Sequence, residues 1–466
     1  MARMRKVGGF QWFLLLVILL GLVAVVAVML LAGASRVRLT SASPVDGVRD
    51  VPVTAPLHLN FSEAMQPDSL EGHVSIEPAV EGRWAFDAAQ ATFRPHGAWQ
   101  PGTRYTVRLE AGTLGESGEE LAEDVALRFE TREPEVLYLQ RPAAEDETRQ
   151  LFAVVPGQDE PRQLTDAPWG VLDYAVHPQG ETIVYSALRE DGGSDLWQMD
   201  RDGRNEGLLL ACADAACLHA AWSPDGGQLA YERRGIWADA PNLDPQASRI
   251  WLLDLDGGES SPLFDYDVPL HSPIWAPAGA RLAYLSPMAS GIEVNDLATG
   301  ELIQFGNEWG AVPVWSPDGR YLAVPELMLA GEAFVVRLLR LDLEDGAILD
   351  ISGEDEMVQD ASPAWSPGGG WIAFGRQWLD EARWTPGRQI WLTRPDGSEA
   401  YALLEEPMAS HFALRWRPDG AVLAYVREDL SEGPQPVPGV SLWVFDLVDR
   451  ETKMVAQDAV QPAWLP

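Results

Sequence analysis

One phrase recurs through the last two thirds of the chain and constrains the fold more than any other feature. It reads Trp222-Ser223-Pro224-Asp225-Gly226 followed by Leu229-Ala230-Tyr231. It returns at Trp275-Ala276-Pro277, Trp315-Ser316-Pro317, Trp365-Ser366-Pro367 and Trp416-Arg417-Pro418, each time before a short apolar run. A worn copy, Val176-His177-Pro178 before Ile183-Val184-Tyr185, opens the set, and the mean spacing of the six prolines is 48 residues. Trp supplies a large ring that ends one strand and packs against a neighbour. Pro fixes φ, and Asp-Gly makes a tight turn into the next strand. A second apolar stretch follows each phrase, such as Ile250-Trp251-Leu252 or Leu442-Trp443-Val444. Each period therefore has room for four short strands, the signature of a β-propeller.

The count favours seven blades, with eight or an open array as the alternative. Six copies lie between about 166 and 458, and strands at Val136–Leu139 and Leu151–Val155 precede them. The chain ends in Trp464-Leu465-Pro466, one spacing after Pro418. The terminal strand is expected to complete the blade begun near 134, so that no sheet edge is left open. These repeats resemble the WD40-like propeller family seen in the periplasmic component of the Tol system. The same phrase occurs in propellers attached to prolyl-oligopeptidase-type peptidases. That resemblance implies a fold and carries little about function.

Residues 40–133 read differently. Leu57–Phe61 alternates in the strand manner, and further short segments occur at 73–76, 83–86, 91–93, 104–110 and 126–130, punctuated by Pro95, Pro101-Gly102 and Gly118. No helix-length amphipathic stretch intervenes, which implies a small antiparallel sandwich. Ser43-Pro44, Phe61-Ser62-Glu63-Ala64-Met65, Thr92-Phe93-Arg94-Pro95 and Pro101-Gly102-Thr103-Arg104-Tyr105 resemble the bacterial immunoglobulin-like domain of surface-layer proteins. The resemblance implies a spacer or adhesive module, and Glu63 and Asp68 read as turn acids.

The N-terminus carries Arg3, Arg5 and Lys6 in a tail at 1–12, then 22 uncharged residues at 13–34. A helix of that length spans roughly 33 Å, about a bilayer core. A single-pass anchor with everything beyond it extracytoplasmic is expected from the basic flank. Ala32-Gly33-Ala34 also fits cleavage of a signal peptide near Ala34. The fold class expected is therefore all-β: a seven-bladed propeller at 134–466, preceded by an Ig-like sandwich and an N-terminal transmembrane helix.

With 34 basic and 70 acidic residues the net charge is -36, which excludes nucleic acid as a partner. There is no Gly-x-Ser-x-Gly elbow, phosphate-binding loop or His-Glu-x-x-His motif. His177, His219, His271 and His411 lie at or just before inner strands, where they could face the mouth of the channel; hydrogen-bonded loop histidines are the plainer reading. Trp309, Trp378 and Trp384 lie outside the phrase and are candidates for exposed contacts. Cys212 and Cys217 could form a local disulfide or remain free thiols. Asp225, Asp318 and Asp419 read as turn caps. No metal or cofactor is expected. The function expected is a membrane-tethered binding or scaffold protein, without catalysis, whose propeller loops hold a protein or peptide partner, with a glycan as a further candidate. The alternatives are a glycan-active enzyme using the propeller funnel and a structural cell-envelope component.

Overall fold

The computed structural model describes residues 36–142, 147–158, 160–235, 248–431 and 439–466, together with 16, 19 and 20. The chain divides into two compact units. One holds residues 1–51, 55–96 and 103–131; the other holds 52–54, 97–102 and 132–466.

The first unit is built from two four-stranded sheets. One runs in the order Leu39–Ser43, Leu57–Phe61, Gln90–Pro95, Gly82–Asp87, and the other Val48–Val51, Val125–Thr131, Arg104–Leu109, Val74–Glu77. Alternation decides what is buried: Leu57, Leu59 and Phe61 point inward from one sheet, and Tyr105, Val107 and Leu109 from the other. Tyr105 stacks on Phe129 with ring centroids 5.4 Å apart. A short helix, Pro67–His73, buries Leu70; its span is too brief for a periodic signal in the sequence.

The second unit holds seven antiparallel sets of four strands, each called a sheet below; one parallel pairing joins sheet one to two (Ser194 with Ala216) and one joins four to five (Val336 with Gln359). Sheet one comprises Val171–Val176, Thr182–Leu188, Ser194–Asp200 and Gly207–Leu210. Sheet two comprises Ala215–Trp222, Gln228–Gly235, Ser248–Asp254 and Ser260–Pro262. Sheets three to six begin at His271, Val314, Val358 and Ala409 and repeat the pattern. Sheet seven takes Glu135–Gln140, Gln150–Val154 and Arg162–Gln163 from the start of the unit and Ala459–Leu465 from the end of the chain. Trp464 pairs with Val136 and Leu465 with Glu135.

Each sheet lies between two others, so its second strand is apolar on both faces. In sheet seven, Val136 and Tyr138 pack with Val422, Leu442 and Trp464. The alternate residues, Leu137 and Leu139, pack with Ile183, Tyr185 and Leu465. The phrase tryptophans end the first strand of their sheets, and four of the six hydrogen-bond back to the preceding one, while the indole N–H groups of Trp275 and Trp365 are buried without a partner among the described residues. Indole N–H groups donate from Trp222 to the Ala175 carbonyl (3.3 Å), Trp315 to Ile274 (3.2 Å), Trp416 to Ala364 (3.0 Å) and Trp464 to Arg415 (3.0 Å). Each acceptor sits one residue before the Trp position of its own phrase. Sheet one has Val176 in place of Trp, and there the Tyr174 hydroxyl donates to Leu137 and Gln461 of sheet seven. The turn is held as its residues dictate: the Ser223 hydroxyl donates to Asp225 (2.6 Å), and the Gly227 N–H donates to the same carboxylate (3.1 Å). Ser316 and Asp318 repeat this.

One member of the expected architecture is corrected. Residues 13–34 fall almost wholly outside the described residues, and among the described residues no helix is long and apolar enough to cross a membrane. The transmembrane helix, the single-pass topology with an extracytoplasmic body, and the membrane tether in the functional reading are withdrawn with it.

Candidate functional site

The first strand of six of the seven sheets breaks register with the second at one place. The shifts fall between Val171 and Tyr174, Leu218 and Ala221, His271 and Ile274, Ala361 and Ala364, Phe412 and Arg415, and Val460 and Ala463. A bulge of this kind re-aims a side chain. Five bulges hold a non-glycine residue at positive φ, three residues before the Trp: His219 (52°), Ser272 (52°), Ser362 (53°), Ala413 (53°) and Gln461 (52°). Such a conformation is costly for a side chain-bearing residue and is held by its surroundings.

In sheet two the bulge presents His219 above a buried acid. Glu232, on the second strand, has a side chain 1% exposed, and His219 Nδ1 donates to its Oε1 at 2.8 Å. Ser248 Oγ donates to Oε2 at 2.8 Å, and the Ser272 backbone N–H donates to Oε1 from sheet three. His271 Nδ1 stands 3.9 Å and Arg234 Nη2 3.8 Å from Oε2. The His219 backbone N–H donates to Asp173 of sheet one (2.9 Å), a carboxylate that also accepts from Ser186 Oγ (2.8 Å). His219 is 49% exposed, so the far edge of its ring is open to solvent.

The charges follow from these contacts. The hydrogen bond to Glu232 raises the pKa of His219 against the opposing effect of burial, and the charge of Asp173 helps. Burial pushes Glu232 up, but the bonds from His219, Ser272 and Ser248 outweigh it and hold the carboxyl below its usual range. Burial raises Asp173. A histidine raised on folding stabilises fully below its unfolded pKa and loses that contribution as pH rises through the folded value. A depressed acid stabilises above its unfolded pKa and loses that contribution as pH falls through the folded value. The pair therefore stabilises most from about pH 4.5 to 6.5, the two reference values, and its contribution fades on the alkaline side. Glu232→Gln is expected to remove this component. Thermal melts at pH 5.5 and pH 8.5 check it: the wild-type difference should shrink in the variant, and an unchanged difference contradicts the assignment.

The other candidates are placed separately. His177 packs edge-on against Trp222 at 4.7 Å, in the turn beyond the strand, and burial lowers its pKa. His411 is fully buried; its Nδ1 bonds the Arg388 carbonyl (2.8 Å), its Nε2 faces Glu406 (3.3 Å), and burial lowers its pKa. Trp309 and Trp384 are exposed. Trp378 is buried, with the Arg383 guanidinium 3.7 Å over its ring and Trp391 edge-on at 5.7 Å. Cys212 and Cys217 are joined, with Cα atoms 6.1 Å apart. Among the described residues no group of His, Cys, Asp and Glu could hold a metal ion. Of the four histidines, only His219 and His271 come together.

Asp173 and Arg234 stand in no recurring motif of the sequence. Glu232 did leave a signal. It follows Tyr231 where the other copies have Ser186, Leu285, Pro325, Gly375 and Val426, so an acid stands in an otherwise small or apolar position.

Residues 34–131 match the family model for the bacterial Ig-like domain. The chain is similar to the Tol-Pal system protein TolB of Alcanivorax borkumensis, with 29% identity over 100 residues, 20% of this chain and 23% of that protein. A match to the uncharacterized peptidase YuxL of Bacillus subtilis has 22% identity over 155 residues, 33% of this chain and 20% of that one. The alignments thus span about a fifth of the curated relatives' own length. Among solved structures, a Mycobacterium tuberculosis puromycin-hydrolyzing peptidase superposes with a TM-score of 0.51 at 16% identity, covering 79% of this chain and 53% of that one, a likeness of fold alone. The expectation of a purely binding protein without catalysis is corrected here: a sequence relative and a structural neighbour are both named as peptidases.

Proposed function

We propose that the second unit is a seven-bladed propeller of WD40-like type, and that it acts by acid–base chemistry on an acidic glycan at the site built around His219. The observation that carries the reading is the convergence of three nitrogen-bearing side chains, from His219, His271 and Arg234, on the single buried carboxylate of Glu232. Arg234 is the permanent cation of this site, set beside the carboxylates of Glu232 and Asp173. The Arg234 side chain is 38% exposed, so part of its guanidinium can meet an anion, while its Nε is buried with no hydrogen-bond partner among the described residues.

The chemistry follows from the geometry. Glu232 fixes the imidazole through Nδ1, which leaves Nε2 as the working atom. Neutral His219 can take a proton there from carbon or water; protonated, it can return one to a leaving oxygen. Arg234 and His271 would hold the glycan's carboxylate beside it. The absence of a Gly-x-Ser-x-Gly elbow gives no support to acyl transfer. The similarity to TolB over 100 residues supports the propeller reading.

The test is incubation with acidic oligosaccharides, read as new reducing or unsaturated ends. Turnover by the wild-type protein should fall about 10²–10⁴-fold in His219→Ala, and Arg234→Gln should raise KM more than it lowers kcat. Binding without turnover, or turnover unchanged in His219→Ala, overturns the proposal.

A further inference from the structure

A cavity that does not include His219 lies between sheet one and the turn at 166–169 that leads into it. Its volume is about 320 Å3, with aromatic walls. Tyr185 and Trp197 are cross-strand partners in sheet one, so both rings stand on the same face. Trp169, from the turn that leads into the sheet, faces the same space and is 52% exposed. Ala187 and Leu188 line the space beside them.

The polar lining is one-sided. Asp166, Glu190 and Glu206 are exposed carboxylates at the cavity, and the Tyr185 hydroxyl donates to Glu206. Among the described residues the cavity has one cation, Arg189, and that group is already engaged. Its Nε and Nη2 bond the Asp191 carboxylate (3.1 Å each), its Nη1 bonds Asp195, and the same guanidinium donates to the carbonyls of Cys212 (3.0 Å) and Ala215 (3.2 Å). Arg189 is thereby tied to the disulfide loop and leaves the other acids uncompensated. An exposed indole face such as that of Trp169 attracts cations through the ring quadrupole, most strongly where a carboxylate stands beside it. The volume is at the lower limit for small-molecule sites and suits one extended side chain.

We propose that this cavity binds an organic cation, an ammonium or guanidinium on an alkyl stem, with Trp169 and Trp197 around the charge and Glu206 as its counter-ion. The stem would lie along Ala187 and Leu188. The site is independent of the acid–base reading at His219.

Calorimetric titration of the full chain tests it with N-acetyl-lysine amide, N-acetyl-arginine amide, butylammonium and the neutral isostere N-acetyl-norleucine amide. The cations should bind, with the norleucine amide at least about tenfold weaker, and added salt should weaken binding. Trp169→Ala should cost about 3–30-fold in affinity, in line with a desolvated cation–π contact. Glu206→Gln should cost less and flatten the salt dependence. His219→Ala should leave every affinity unchanged, which separates this site from the other. Tighter binding of the lysine or arginine amide than of butylammonium assigns the site to a peptide side chain; equal binding assigns it to free amines. Norleucine amide binding as well as lysine amide, no binding of any cation, or affinity unchanged in a folded Trp169→Ala protein overturns the proposal. Trp169 is an exposed turn residue, so a melting curve suffices to establish that this variant folds.

Discussion

Asp360→Ala should destabilise the second unit by about 3–5 kcal/mol, the cost of leaving a buried charge without its partner. Asp360 and Arg376 form a bidentate pair inside sheet five, with Nε and Nη2 at 2.8 and 2.6 Å from the two carboxylate oxygens and side chains 0% and 1% exposed. The guanidinium also donates to the Ser352 carbonyl at 2.6 Å, and it lies 5.0 Å over the rings of both Phe374 and Trp391. Once the acid is removed, the nearest carboxylate is Asp355, at 3.6 Å. The double variant Asp360→Leu, Arg376→Met should recover most of the loss, because an apolar pair has no desolvation cost to offset. Urea denaturation measures both. A single-variant loss under about 1 kcal/mol would mean that the pair is not buried as described. The loss should also be insensitive to salt, since a pair this deep lies beyond ionic screening.

Trp464→Ala should cost about 3–5 kcal/mol, the range for removing a large buried aromatic side chain. Trp464 packs with Val136, Tyr138, Val422 and Val444, and its indole N–H donates to the Arg415 carbonyl at 3.0 Å. It joins sheet seven to sheet six through a strand that comes from the opposite end of the unit. Trp464→Phe should retain most of the packing and lose the hydrogen bond, a smaller loss of about 1 kcal/mol. The denaturation midpoint of the second unit reads both. Equal losses for Ala and Phe would show that packing contributes little.

Much of this architecture was legible because the phrase carries its own mechanism. Trp, Pro and Asp-Gly each require a particular backbone, and their recurrence marks the sheets. The return of Trp464-Leu465-Pro466 one spacing after Pro418 pointed to the strand that pairs with Val136. The indole hydrogen bonds were not legible, since an acceptor carbonyl can belong to any residue: here it is Ala, Ile, Ala and Arg. The bulges were hidden for a similar reason. Their positive-φ residues are His, Ser, Ser, Ala and Gln, with no glycine to announce them. The position is set by register against the next strand.

The site was half legible. The histidines lie near the inner strands, as their sequence positions imply, yet the side of the strand on which each falls decides its role. His219 sits on a bulge and is open, whereas His411 lies earlier on its strand and is enclosed. Trp378, a candidate for exposed contact by its place outside the phrase, is buried. It is the last residue of the strand Ile372–Trp378, and alternation places it with Phe374 and Arg376 on the buried face. Its ring covers the guanidinium of that pair at 5.5 Å. Charge counting could not have revealed Arg189 as spent, because its partners include backbone carbonyls of the Cys212 loop.

Closure of the seven sheets by the chain's last strand underlies both the packing and the placement of His219, and amide hydrogen exchange of residues 459–465 tests it most directly. The account predicts that these amides exchange as slowly as those of Glu135–Gln140, their partner strand, through opening of the whole unit. Exchange of 459–465 at the rate of a free tail, with 135–140 still protected, would contradict it.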